Sequence, residues 1–449
     1  MSPAALPLVS ALALGDVLAW RPQGPVTVAA FLAQAQAVAR ALQPAPWVIN
    51  LCEDRYHFAV VFAACLLSGK TSLQPASHSA QTLGQLARDH AGAFAVTDTG
   101  FDDLDLPRMA FDDLATPNPE PVSDIPLIPA DQVAAVLFTS GSTGLPQAHR
   151  KTWGMLVANG RAEAEGLGLL GSHTVLVGTV PVQHSYGFES TFLLALHGGC
   201  PFWSGRPFYP QDVVDALLAV PRPRMLVTTP FHLATLLAST LAWPPVDAWL
   251  SATAPLDPAV AEQVERRSGA PVREIYGSTE SSQLAWRRTT EGAAWRLLPG
   301  VRLAQEGDVT HALDGHVGGT VALSDLIEIL PDGHFLLHGR HGDLINIAGK
   351  RTSLAYLNHQ LCAIAGVEDG AFFMPDEPAA GSEPAVVRLA AFVVAPSLTR
   401  AALMEALRLR VDAIFLPRPL VWMDALPRNS TGKLPRTALQ ALYLARAAA

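Results

Sequence analysis

No apolar run in the chain approaches the roughly 20 residues that a membrane-spanning helix requires. The longest candidate, Phe58 to Leu67, is far shorter and reads as a buried helix. Cysteine is scarce: Cys52, Cys65, Cys200 and Cys362 lie far apart in apolar settings, with no CxxC pair. That excludes a disulfide scaffold and predicts buried free thiols in a reducing, cytoplasmic compartment. Cys and His show no zinc-type spacing. Basic charge is also short, with 31 Lys and Arg against 40 Asp and Glu and a net charge of −9, which argues against general nucleic-acid binding. The apolar N-terminus lacks a basic leader and is read as mature protein rather than signal peptide. No internal repeat or low-complexity tract stands out.

What is present is a 449-residue chain, 49% hydrophobic and 16% charged, which predicts two or three domains around a large core. Strand-like and helix-like segments alternate: Trp47 to Cys52, then Arg55 to Ser68, then Thr71 to Gln74. The pattern recurs at Thr174 to Val180, Met225 to Ser239 and Val272 to Tyr276. This predicts an α/β fold with layered, mostly parallel sheets in a large N-terminal domain. Residues 304–338 read as short strands with turns, a small β-rich subdomain closing a core of 1–338. A boundary is expected at Gly339 to Asp343, and 344–449 then forms a small C-terminal α+β domain, with helices at Leu354 to Ala365 and Thr399 to Val411 and a strand at Arg388 to Val394.

The most informative stretch is Leu137 to Pro146, LFTSGSTGLP. An apolar strand feeds a loop of hydroxyls and glycines (Thr139, Ser140, Gly141, Ser142, Thr143, Gly144). Glycine lets backbone N–H groups converge on one point, which suits a phosphate chain. It is not a GxxxxGK[ST] loop, since no Lys-Ser/Thr pair closes it. Three further segments follow: Ile275 to Glu280 (IYGSTE), His338 to Arg351 (HGRHGDLINIAGKR) and Leu426 to Arg436 (LPRNSTGKLPR). Each alone also suits an ordinary turn, linker or basic tail.

Together, in this order, they resemble the signatures TSGSTGxP, YGxTE, GRxxDxI…GxR and PRxxxGKxxR of the adenylate-forming enzymes: acyl- and aryl-CoA synthetases, nonribosomal adenylation domains and luciferase. The resemblance implies ATP-dependent activation of a carboxylic acid, with Mg²⁺, and a C-terminal lid that rotates between two poses. It implies that Lys433 reaches the carboxylate and α-phosphate, that Glu280 holds Mg²⁺, and that Thr279 touches the α-phosphate. Tyr276 would lie against adenine, with Gly277 and Ala254 in the same ATP site. Asp325 and Arg340 would contact the ribose, although Ser324 departs from the usual TGD. Arg351 would lie near the phosphates or serve the thiol. His184, in Pro181 to Glu189 (PVQHSYGFE), would lie between the acid pocket and the thiol tunnel, with Tyr186, Phe188, Ser251, Gly277 and Ser278 shaping the acid pocket. The ordinary alternatives remain a surface lysine for Lys433, a core aromatic for Tyr276 and a structural histidine for His184.

Two departures stand out. Gln147 occupies the place where the family's phosphate loop carries Lys; it donates hydrogen bonds but brings no charge. His149, Arg150 and Lys151 follow, and Lys151 is the expected replacement cation. Gly342 stands at the hinge position, where glycine absorbs large φ/ψ changes. The wording TSGSTGxPQxHRKTW and LPRNSTGKLPR is similar to the free-standing ligases of aryl-polyene and xanthomonadin-type pigment pathways. That implies a hydroxybenzoate-like acid and an acyl carrier protein, or coenzyme A, as thiol acceptor. From Arg400 onward eight basic residues face three acidic ones, which suits an acidic carrier or an ordinary solvated face equally. The alternatives are a medium-chain fatty acyl- or benzoate-CoA ligase, and a non-catalytic nucleotide-binding protein.

Overall fold

The computed structural model describes residues 4–75, 77–101, 106–115, 119–140, 146–307, 309–340, 344–347, 350–375, 388–429 and 434–447, without the side chains of 140, 146, 340, 344, 346, 351 and 447. The chain divides into two compact units. The first holds residues 1–304, 311–321 and 331–334; the second holds 305–310, 322–330 and 335–449. The boundary expected at Gly339 to Asp343 therefore falls inside the second unit, and 341–343 lie outside the described residues.

Among the described residues, the first unit carries sheets of six and nine strands. In the six-stranded sheet, Trp47–Asn50, Thr71–Gln74, Phe94–Thr97 and Arg108–Ala110 run parallel with Val133–Ser140. Pro146–Thr152 returns antiparallel at the edge, with Lys151 opposite Ala135. In the nine-stranded sheet, Val175–Gly178, Arg224–Thr228, Ala248–Ser251 and Val272–Ser278 form a parallel run. Ser282–Arg288 closes an antiparallel hairpin on the last of these.

The expected buried helix is Arg55–Leu67. From Phe58 to Leu67 its side chains are apolar on every face, which is the pattern of a helix enclosed on all sides. Asp54 caps it, accepting from the backbone N–H groups of Tyr56 and His57 at 2.8 and 3.0 Å. Phe58 and Phe62 pack with Phe188 and Phe192 in one aromatic cluster. All four thiols are free, but Cys362 is exposed where a buried thiol was expected. Leu354, Leu357 and Leu361 take the inward face of its helix at helical spacing, which leaves Cys362 turned outward.

The second unit holds the hairpin Asp325–Ile329 with Phe335–Arg340. It also holds Asp369–Phe373, Ala390–Val394 and Leu420–Trp422 in one sheet, packed by Leu354–Cys362 and Arg400–Arg408. No helix among the described residues is long and apolar enough to cross a membrane.

Candidate active site

In a parallel sheet, ligand sites form outside the carboxyl ends of the strands. Here those ends carry the expected motifs. Val175–Gly178 leads to the His184 turn, Ala248–Ser251 to the loop through Ala254, and Val272–Ser278 to Glu280. One side-chain contact joins two of these segments, and three more involve the hairpin Val133–Ser140 with Pro146–Thr152. Thr279 Oγ1 donates to Ser185 Oγ at 3.3 Å. Lys151 Nζ donates to the Glu280 carbonyl at 3.0 Å and to Ser282 Oγ at 2.9 Å. Thr139 Oγ1 and His149 Nε2 lie 3.0 Å apart, across the hairpin that flanks the phosphate loop. The loop itself, Gly141 to Gly144, lies outside the described residues, and so does the Ser140 side chain.

The Glu280 hairpin is locally unusual. A β-bulge interrupts its register after Tyr276, and Ser282 adopts φ +62°. Bulges and left-handed non-glycine residues concentrate where a strand re-aims side chains. Gly277 is required by contact: an added Cβ would lie 2.3 Å from the Ser282 carbonyl oxygen. Ser278 and Ser281 hydroxyls pair at 2.9 Å inside the turn. The Tyr276 ring is half-buried and lies 5.7 Å from that of Trp295. Glu280 is half-exposed.

His184 caps a short helical turn, its Nδ1 accepting from the Tyr186 N–H at 3.2 Å. The chain then passes into a π-helical segment, Phe188–Leu193, a feature that recurs at functional sites. The Tyr186 hydroxyl donates to the Leu250 carbonyl at 2.9 Å, and burial pushes its pKa well above the usual value. Phe188, expected on the acid pocket wall, is fully buried and packs in the cluster with Phe58, Phe62 and Phe192. Ser251 is buried, and its hydroxyl has no hydrogen-bond partner among the described residues. Thr253 holds φ +79°, an outlier for a β-branched residue, directly before the exposed Ala254.

Lys151 does not take the place expected of a free cation for the phosphates. It is 1% exposed and is committed to the Glu280 carbonyl and Ser282. Burial lowers its pKa, opposed by the charges of Glu189 and Glu280. Glu189 is buried too; its Oε2 accepts from Gln283 N at 3.1 Å, and desolvation raises its pKa to about 7. His149 is held below its usual value by burial.

Sequence reasoning missed Glu189, Glu274 and Arg55. Glu274 accepts from the Leu256 N–H at 3.0 Å and from Arg287 Nε at 2.7 Å, fixing the loop after Ser251 to the Glu280 hairpin. Arg55 donates to the carbonyls of Gly178, Val180, Trp203 and Gly205 and so holds the strand end that leads to His184. Arg55 does adjoin the Asp54 cap, but nothing local in the sequence marks its distant carbonyl partners.

These motif-bearing loops, at the carboxyl ends of parallel strands, agree with the match of residues 15–321 to a family described as AMP-binding enzyme. The chain belongs to this family. Among its relatives, a 4-coumarate–CoA ligase of Halorhodospira halophila is 30% identical over 355 residues, 76% of this chain and 83% of that protein. A 4-coumarate–CoA ligase of Rhodobacter capsulatus is 27% identical over 309 residues, 68% and 75% of the two chains. ATP-bound MatB from Rhodopseudomonas palustris shares the fold at a TM-score of 0.82 and 19% identity, over 96% of each chain. This AMP-binding enzyme is an AMP-forming acid–thiol ligase.

In its second unit, Asp325 and Arg340 are direct register partners across the hairpin. The two residues expected at the ribose therefore emerge side by side, although the Arg340 side chain is not described. Arg351 sits on the strand Lys350–Ser353, likewise without a described side chain. Lys433 and Gly342 lie outside the described residues. Of the basic residues expected on a docking face, Arg428 pairs with Asp369 at 2.7 Å and Arg436 donates to the Met374 carbonyl at 2.9 Å. Both serve the unit's own packing.

Proposed function

We propose that this ligase adenylates a hydroxybenzoate-like aromatic acid. It then passes the acyl group to the phosphopantetheine thiol of an acyl carrier protein. The observation that carries the adenylation reading is the meeting of Thr279 with Ser185 beside the Lys151 contact to Glu280. That meeting puts the segment assigned to phosphate against the segment assigned to the acid. Activation requires two anions to approach, so donors and positive charge must be in place beforehand. Thr279 and the phosphate loop supply donors, and Lys433 supplies charge at the reacting carboxylate. Tyr276 holds adenine, with Gly277 in the same site, while Asp325 and Arg340 hold the ribose.

No group of three or more His, Cys, Asp and Glu side chains suited to a metal gathers among the described residues. A magnesium ion carried on a triphosphate needs only one or two carboxylates, since waters and phosphate complete its shell. Glu280, half-exposed with its backbone pinned, fits that requirement. The ion, when bound, offsets the charge of the triphosphate.

The aromatic acid is supported by the motif wording and by relatives named for 4-coumarate. Those names also favour a second reading, coenzyme A as the acceptor. ATP–pyrophosphate exchange across benzoates, hydroxybenzoates, cinnamates and fatty acids tests the first step. Strongest exchange with a hydroxybenzoate is expected; preference for fatty acids would overturn the substrate, and no exchange would leave a nucleotide-binding protein. Acyl transfer to a holo-carrier protein against transfer to coenzyme A then decides the acceptor.

A further inference from the structure

Lys151 stands on the strand that returns from the phosphate loop, opposite Ala135 and just before a register shift. Its Nζ reaches the Glu280 carbonyl at 3.0 Å and Ser282 Oγ at 2.9 Å. One ammonium thus spans the tip of the Glu280 hairpin, binding a loop residue and the first residue of the following strand. Burying a lysine is costly unless its charge is answered. Here the nearby Glu189 and Glu280 oppose the effect of burial on Lys151, and the buried Glu189 accepts from the Gln283 N–H on the same hairpin. Lys151 and Glu189 therefore grip adjacent backbone at 280–283 from two other segments of the first unit. The Glu280 carbonyl is thus held by a buried group, while Glu280 itself stays half-exposed. Ser282, whose φ of +62° disfavours any side chain but glycine, is fixed by the same ammonium.

We propose that Lys151 is a positioning residue for the nucleotide-bound metal, acting through the Glu280 backbone and not through a contact with phosphate. This rests on the reading of Glu280 as the magnesium carboxylate. Groups that orient a metal ligand are worth about 10–100-fold in metal affinity. A phosphate contact would instead weaken every nucleotide, with or without metal.

The test is Lys151→Met in the full chain, which keeps length and removes the charge. Mg²⁺ is titrated at fixed ATP in acid-dependent pyrophosphate exchange, and binding of AMP and of ATP with Mg²⁺ is measured by calorimetry. The expected result is a rise of about tenfold or more in half-saturating Mg²⁺, with the KM for the acid and the affinity for AMP changed by less than about twofold. Glu280→Gln should reproduce it, and the double variant should be no worse than Glu280→Gln alone, since both act through one interaction. An unchanged Mg²⁺ requirement, a weakened AMP affinity or additive losses would each overturn the proposal. If Lys151→Met does not fold, Ser282→Gly removes one of the two acceptors at a φ that glycine accepts. It should raise half-saturating Mg²⁺ by a smaller factor, and no rise would overturn the proposal. Should the wild-type chain exchange with no acid, the proposed activity fails, and the Mg²⁺-dependent ATP binding of wild type and variant still decides the role of Lys151.

Discussion

Thr279 donates its hydroxyl to Ser185 across 3.3 Å, joining two turns that lie 94 residues apart in the chain. One turn is assigned to the α-phosphate and the other adjoins His184. The pair fixes their separation, which is what an in-line attack of carboxylate on phosphate requires. Thr279→Val should lower pyrophosphate exchange by about 100-fold, the scale of losing a preorganised donor at developing charge. Ser185→Ala should cost less than about tenfold, since a neutral hydrogen bond nets about 1 kcal/mol. Equal losses, measured as kcat/KM for ATP, would make the hydrogen bond itself the important feature and remove Thr279 from the phosphate.

Gly277 and Gly187 are predicted to tolerate no side chain. A Cβ on Gly277 would stand 2.3 Å from the Ser282 carbonyl oxygen, and one on Gly187 2.1 Å from that of Pro181. Both obstacles are backbone, so neither can swing aside. Alanine at either position should destabilise the first unit by about 1–3 kcal/mol or more. Gly15→Ala is the control, because nothing lies within 4 Å of its added Cβ. Thermal melting of the three variants checks this; a melting temperature for Gly277→Ala equal to that of Gly15→Ala would contradict the packing argument.

Local pattern made much of the scaffold legible. The helix Arg55–Leu67 announced itself by the apolar run from Phe58 to Leu67, and the parallel strands by short apolar runs between turns. The strand Pro146–Thr152 was not legible, because PQAHRKT has no apolar alternation; its pairing with Val133–Ser140 makes it a strand. The same holds for the site. Lys151 read as a free cation because its partner Ser282 lies 131 residues away. Phe188 read as pocket wall, and composition cannot show that its ring packs with Phe58 and Phe62. Asp325 and Arg340 were both named from motifs, yet only the hairpin register reveals that they are direct neighbours.

Two sets of buried groups should give stability opposite pH dependences. Burial holds His197 down to about 3, and His232 and His316 down to about 4, from an ordinary value of 6.5. Unfolded histidines bind protons that the folded ones refuse, so stability is full above pH 6.5 and is lost as pH drops toward 4. Glu163 and Glu189 act in the opposite sense: burial raises them from 4.5 to about 8 and about 7. The folded state keeps protons that the unfolded state releases, so their contribution declines as pH rises from 4.5 toward 8. Glu163→Gln removes one such proton, and its melting temperature should gain on wild type steadily across that range. Parallel melting curves at every pH would show that Glu163 is not held protonated.

Lys433 and Gly342 are predicted to separate the two half-reactions. Lys433→Ala removes the charge assigned to the reacting carboxylate and α-phosphate, and should reduce pyrophosphate exchange by about 100–1,000-fold. Thioester formation from a supplied acyl-adenylate should change far less, because that step no longer joins two anions. Gly342→Pro acts on conformation instead. Proline fixes φ near −65° and removes an N–H, so a hinge that must adopt two backbone settings is confined to one. One half-reaction should then survive at near wild-type rate while the other is suppressed. Single-turnover rates for each step are the measurement. Equal suppression of both by Gly342→Pro would remove that residue from the hinge, and equal loss of both steps in Lys433→Ala would move the lysine from adenylation to a general role in the fold.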